Sequence, residues 1–159
     1  MIHNIRIGLF EPRIPQNTGN IGRTCLAFNF PLDLIYPLGF SLDNSYLKRA
    51  GLDYWKNVNL TTHKNFTNYQ EYVKNSRIIA FSKDGDINLD SLIFKKDDCL
   101  LFGREDNGLP NSVKSKCNLV ATIQMPSKYH SIRNKSGVRS LNLSVACGIA
   151  AYYAMRSCS

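Results

Sequence analysis

The sequence predicts a single α/β domain over residues 1–159, built on a parallel sheet of six strands with helices on both faces. Three observations predict it. The chain opens as strand, loop, helix and strand, which is the start of a parallel unit. Short apolar runs of strand length then recur, separated by segments of helical period. The loops that carry unusual residues all follow strands, where open α/β sheets bind their ligands.

Taken in order, residues 5–10 (Ile-Arg-Ile-Gly-Leu-Phe) read as a short buried strand. Residues 11–16 form a loop with two prolines, Pro12 and Pro15. A helix opens at residues 17–20, with Asn17 or Thr18 as N-cap, and runs to about Phe28. Residues 32–36 give the next strand, closed by Pro37. Residues 38–57 are less regular and hold one short helix around 46–50. Residues 58–62 are a weak strand. Residues 65–75 are helical, because Phe66, Tyr69, Tyr72 and Val73 share the helical period. Residues 77–82 and 99–103 are the strongest later strands. Residues 110–116 form a helix with Pro110 near its first turn. Residues 119–123 are the last strand, 127–138 a polar, basic loop, and 141–156 a long helix rich in alanine and leucine.

Composition narrows the class. Hydrophobic residues are 43% of the 159 and charged residues 20%, which fits a globular chain and excludes a disordered one. No apolar run approaches the ~20 residues that span a bilayer. The start, Met1 to Arg6, lacks a secretory signal. A cytoplasmic location without a membrane partner is therefore expected. The five cysteines are odd in number and show no C-x-x-C spacing, so most of them read as core residues rather than a disulfide framework or zinc site. His3, His63 and His130 lie far apart, and no metal is expected.

The net charge is +8, and residues 107–159 contain no Asp or Glu. That stretch holds Lys114, Lys116, Lys128, Arg133, Lys135, Arg139 and Arg156. A one-signed segment attracts polyanions such as nucleic acid. A solvated basic face kept for solubility has the same composition, so charge alone leaves both readings open.

Three segments carry candidate chemistry. In the first, Pro15 to Thr24, a strand leads into a helix N-terminus with Asn17, Gly19 and Arg23, and free N–H groups there suit an anion. A capped helix with a surface arginine fits equally. In the second, Leu100 to Pro110, an apolar strand runs into Gly103, then Glu105, then Gly108. A plain β-to-α turn explains the glycine and proline, but Glu105 needs a partner if it is buried. In the third, Arg139 to Ala146, Ser140 and Asn142 alternate with leucines before a helix. Ser140 as N-cap with Asn142 in the first turn explains that pattern too. The dinucleotide fingerprint, the phosphate loop and the G-x-S-x-G elbow are absent, which disfavours a dehydrogenase, a P-loop NTPase and an α/β-hydrolase.

Together and in this order, the three segments resemble the motifs of the SPOUT methyltransferases, and among them the small tRNA wobble-position ribose methyltransferases. The shared residues include Glu11-Pro12, Asn17-Thr18-Gly19-Asn20-Ile21, Arg23, Arg49-Ala50-Gly51-Leu52-Asp53-Tyr54, Gly103, Glu105, Gly108-Leu109-Pro110, Arg139-Ser140, Asn142-Leu143-Ser144 and Tyr152. The resemblance implies a C-terminal deep trefoil knot, a topology otherwise nearly absent from proteins. It implies a homodimer with the first and last helices at the interface, and no further protein cofactor. It implies S-adenosylmethionine as cofactor, S-adenosylhomocysteine as product, no metal, and tRNA as substrate. The cofactor would lie against Phe81, Ser82, Gly103, Met125, Ser140 and Asn142. Arg23, Asn17, Ser140, Asn142 and Glu105 would form the catalytic set, with Arg23 either a base or a charge stabiliser. A guanidinium pKa above ~12 makes the second role less costly.

One departure stands out. Thirteen residues, 126–138, separate Met125 from Arg139, more than in similar proteins. Lys128, Arg133 and Lys135 lie in this extension and, with Arg23 and Arg139, are the expected RNA contacts. Two other functions remain open at this point: a ribose methyltransferase for another tRNA site or for rRNA, and a non-catalytic RNA-binding module.

Overall fold

The structure is a computed structural model that describes residues 4–43, 45, 47, 49, 52–126 and 138–158. Strand β1 (Arg6–Phe10) leads to helix α1 (Pro15–Phe28) and strand β2 (Leu32–Ile35). A 3-10 helix (Leu52–Asn57), β3 (Leu60–His63), α2 (Phe66–Tyr72) and β4 (Ile78–Phe81) follow. Next come β5 (Ile87–Asn88), β6 (Cys99–Phe102), α3 (Asn111–Lys114), β7 (Leu119–Thr122) and α4 (Leu143–Ser157). The sheet runs β3-β2-β1-β6-β4-β7-β5, and every neighbouring pair is parallel.

Both faces of this sheet are covered, and the apolar runs explain why. Every residue of β2, β4 and β6 is buried, as parallel strands between two helical layers must be. Alternate side chains serve opposite cores. Ile7, Leu9, Leu32, Leu34, Leu100 and Phe102 pack with Ile21 and Cys25 of α1 and with Cys147, Ala150, Ala151 and Ala154 of α4. Phe10, Ile35, Ile78, Ala80 and Leu101 pack with Phe66 and Tyr69 of α2 and Val113 of α3. Small residues on the inner side of α4 let it sit close against α1. Cys25, Cys99 and Cys147 are core residues, as their spacing suggests. Burial pushes the Cys25 thiol up to about 12 and Cys99 to about 11.

The second core holds a charged cluster. Asp33 is fully buried on β2. Arg6 donates to it from Nε at 2.8 Å and Nη2 at 3.0 Å, and His63 Nε2 lies 2.8 Å from Oδ1. The Arg6 guanidinium also sits 5.0 Å from the Tyr72 ring centroid. This ion cluster ties β1, β2 and β3 together beneath α2.

Several boundaries differ from the sequence reading, each for a local reason. The sheet has seven strands among the described residues, not six; β5 is two residues long, too short to show a period. Helix α1 starts at Pro15, so neither Asn17 nor Thr18 is its N-cap; Ile14 holds that place without a side-chain cap. Proline suits the first helical position because it has no N–H to satisfy. Asn142, not Ser140, caps α4, accepting from the N–H of Ser144 at 2.9 Å. Helix α2 stops at Tyr72, and Asn65 caps it by accepting from Asn68 N–H at 2.9 Å. The 3-10 helix at Leu52–Asn57 has no apolar period that could announce it. The short helix expected around 46–50 falls partly outside the described residues; Ser45, Leu47 and Arg49 are helical. The expected knot depends on the path of residues 127–137, which also lie outside them.

Candidate active site

An open cleft of about 1300 Å³ lies at the carboxyl ends of β4, β6 and β7, where sheet topology favours a ligand. Its apolar floor comes from the strands themselves. Phe81 ends β4 and Phe102 ends β6, and their rings stack at 4.9 Å with planes 10° apart. Ile123, Met125 and Leu141 add to the apolar lining.

The wall beyond β6 is a tight loop. Arg104 N–H donates to Gly108 O at 3.1 Å, and Gly108 N–H returns to Arg104 O at 2.9 Å. Gly108 closes the loop at φ +62°, a conformation glycine adopts without strain. A Cβ on Gly103 would run into the backbone of Gly108 and Leu109, so this position has no space for a side chain.

The loop serves to hold Glu105 out toward α1. One carboxylate oxygen accepts from Arg13 N–H at 2.7 Å; the other accepts from Ile14 N–H at 3.0 Å and from Asn17 Nδ2 at 3.4 Å. An acidic side chain from the loop after β6 thus takes up free N–H groups where the chain turns into α1, near the positive end of its dipole. That is the partner the sequence required for Glu105. The network continues: Asn142 Nδ2 donates to Asn17 Oδ1 at 3.1 Å. The oxygen of Asn142 meanwhile accepts from Ser144 N–H at 2.9 Å and Ser144 Oγ at 2.6 Å. Three segments far apart in sequence are joined through Glu105, Asn17 and Asn142.

Charges of both signs rim the cleft. Lys83, Arg104, Lys114 and Arg139 face it with Asp84 and Asp106. Arg104 grips Asp106 through Nε at 2.9 Å and Nη2 at 2.7 Å, with Glu11 3.7 Å away on its other side. The Arg104 guanidinium holds the Asp106 carboxyl down at about 2. Among the described residues, no group of three or more His, Cys, Asp or Glu is placed to hold a metal ion.

The structure brings together most of the residues singled out from sequence. Asn17, Phe81, Ser82, Gly103, Glu105, Met125, Arg139, Ser140 and Asn142 all line this one cleft. Arg23 is not among its lining residues. Six residues beyond Asn17, at 3.6 residues per turn, it falls on another face of α1. There it is exposed, with its guanidinium 5.5 Å from the Tyr54 ring centroid. Lys128, Arg133 and Lys135 lie outside the described residues. Lys83 and Asp84 were missed from sequence, although they follow the end of β4; Arg104 and Asp106 lay in the second segment and Lys114 in the basic stretch without a place in the cleft.

Comparison with known proteins agrees with this geometry. Residues 4–152 match the model of the SpoU rRNA Methylase family. The tRNA (cytidine(34)-2'-O)-methyltransferase of Escherichia coli (strain K12) is 36% identical over 152 residues, covering 96% of this chain and 92% of its own. A solved structure concerned with the 2-OH methylation of C/U34 on tRNA shares 44% identity and a TM-score of 0.89, covering 99% of this chain and 97% of that one. An AdoMet-bound rRNA methyltransferase from Sinorhizobium meliloti has the same fold at 21% identity, with a TM-score of 0.83 over 98% of this chain and 57% of its own. With its parallel sheet, its cleft and a match over nearly its whole length, the chain belongs to the SpoU rRNA methylase family.

Proposed function

We propose that this chain, acting as one domain, methylates the ribose 2′-hydroxyl of the wobble nucleotide of tRNA, cytidine or uridine, with S-adenosylmethionine as donor. The observation that carries the reading is the Glu105–Asn17–Asn142 network, which closes three separated motifs around one cleft. The C/U34 relatives, similar over nearly their whole length, support the choice of substrate.

The residues present fit such a cofactor. Stacked phenylalanines offer a flat apolar floor for a purine, and lining charges of both signs suit a molecule that carries an ammonium and a carboxylate. Phe81, Ser82, Gly103, Met125, Ser140 and Asn142 would hold it. When bound, it supplies a methyl group already activated on a sulfonium, so no metal is required.

The chain's own task is the nucleophile. A ribose hydroxyl is a weak acid, and charge builds on its oxygen as it reacts. Arg23 is the group proposed to stabilise that charge and orient a nearby phosphate. Glu105 and Asn17 fix the start of α1, the helix that carries Arg23. Asn142 fixes the start of α4 against the cleft, and Ser140 lines the cleft beside it.

Arg23 lies off the cleft of its own chain, so the proposal includes a second copy. Val145 and Tyr152 of α4 are 50% and 47% exposed, apolar side chains left open on the last helix, where the homodimer interface is expected. Pairing there would bring the partner's α1 toward this cleft. Arg139, with Lys128, Arg133 and Lys135, would contact the RNA backbone. No helix among the described residues is long and apolar enough to cross a membrane.

The test is transfer of labelled methyl from S-adenosylmethionine to unmodified tRNA transcripts, followed by nucleoside analysis. A 2′-O-methylated pyrimidine at the wobble position is the expected product. Product at another tRNA position or on rRNA would keep the chemistry and overturn the substrate. No transfer and no cofactor binding would favour an RNA-binding module.

A further inference from the structure

We propose that Tyr54 is a positioning residue for Arg23: its ring sets where the guanidinium points. The proposal rests on the reading of Arg23 as the charge-bearing group of the transfer.

Arg23 is an exposed arginine on α1, and such a side chain samples many rotamers unless something holds it. The Tyr54 ring is what lies beside it. The guanidinium carbon is 5.5 Å from the ring centroid, inside the ~6 Å range where an aromatic face attracts a cation. A ring face attracts the guanidinium cation and not the neutral guanidine. The contact therefore suits a charge-stabilising role for Arg23.

The place of Tyr54 is itself built in. Its neighbour Trp55 packs so tightly on α1 that a Cβ on Gly22 would lie 2.5 Å from the indole Cζ3. Gly22 precedes Arg23 and Tyr54 precedes Trp55, so the glycine–tryptophan contact sits directly beside the arginine–tyrosine one. The missing side chain at Gly22 lets the 3-10 helix dock, and docking presents Tyr54 to Arg23. This gives the segment Leu52–Asn57 a function, although it contributes nothing to the lining of the cleft.

The experiment is single-turnover methyl transfer to tRNA, with cofactor affinity measured beside it, in Tyr54→Leu, Tyr54→Phe, Arg23→Gln and the double variant Arg23→Gln/Tyr54→Leu. Tyr54→Leu is expected to slow transfer about two- to thirty-fold with cofactor affinity unchanged. Tyr54→Phe keeps the ring face and should restore the rate to within about twofold. In the Arg23→Gln background, Tyr54→Leu should cost nothing more, because no cation is left to place. A normal rate in Tyr54→Leu, an equal loss in both backgrounds, or a loss of cofactor binding that Tyr54→Phe does not share would each overturn the positioning role. Near-normal transfer in Arg23→Gln is a separate result, since it removes the reading of Arg23 itself.

Discussion

The side-chain amide of Asn142 donates to Oδ1 of Asn17 at 3.1 Å, a bond between residues 125 positions apart in sequence. The same Asn142 caps α4 with its oxygen. One side chain therefore sets the start of the last helix and ties it to the first. An amide suits both tasks, because its donor and its acceptor sit on separate atoms of one short arm.

Asn142→Asp separates the two tasks. Aspartate caps a helix as well as asparagine does, so the melting temperature should stay near that of the parent. The donor toward Asn17 is lost, and Asn17 can turn its amide to compensate only by facing its oxygen to Glu105. Methyl transfer should fall roughly tenfold or more, the effect of one unsatisfied polar contact. Unchanged transfer with an unchanged melting temperature would show that the link has no part in the reaction.

Glu105→Gln tests the other end of the network. The carboxylate accepts from Arg13 N–H, Ile14 N–H and Asn17 Nδ2 on two oxygens. Glutamine turns one oxygen into a donor that faces another donor. The expected loss is about 1–3 kcal/mol in chemical denaturation, with weaker cofactor binding. A denaturation midpoint equal to the parent's would mean that solvent replaces the lost bond.

Some of this was legible in sequence and some was not. The strands β4 and β6 are continuous apolar runs, and burial on both faces makes such runs readable. Glu105 announced itself as a charge beside a buried strand that needed a partner. Its partners could not be read, because backbone N–H groups leave no mark on residue identity. The α1 cap was misplaced for the same reason: the capping group comes from a residue 91 positions away. Arg23 stands six residues after Asn17 in one linear motif, a spacing that already allowed the two to point apart on a helix.

The basic extension makes a prediction on salt. Lys128, Arg133 and Lys135 add three charges in residues 126–138. If they meet RNA phosphates, changing all three to alanine should weaken tRNA binding and flatten its dependence on log salt by about two to three slope units. An unchanged slope in a filter-binding or fluorescence titration would place the RNA elsewhere.

The buried thiols predict alkaline sensitivity. Cys25 rises from its ordinary 9.0 to about 12, and Cys147 rises as well, both because burial disfavours the thiolate. An acid whose pKa is raised on folding keeps its proton longer in the folded chain. Its contribution to stability is complete below pH 9.0 and is lost as pH climbs toward about 12. The melting temperature should fall over that window, and less steeply in Cys25→Ala relative to its own value at pH 8. At pH 8 a thiol reagent should label the partly exposed Cys158 ahead of Cys25 and Cys147.

The Asp33 cluster predicts a different kind of sensitivity. The carboxylate is fully buried and shared by Arg6 and His63. Its value lies in compensation: with Asp33 present, the Arg6 charge enters the protein already paired. Asp33→Asn removes the compensating charge and leaves the guanidinium half-buried beside a neutral amide. Breaking one side of such a pair costs about 3–5 kcal/mol, more than the pair itself contributes. The denaturation midpoint of Asp33→Asn should drop accordingly, and Arg6→Met should restore part of it, because it removes the stranded charge. The cluster sits beneath α2 on the face of the sheet opposite α1 and α4, so the folded fraction of either variant should bind cofactor normally. If Arg6→Met lowers stability further in the Asp33→Asn background, the arginine contributes through packing on Tyr72 and not through its charge.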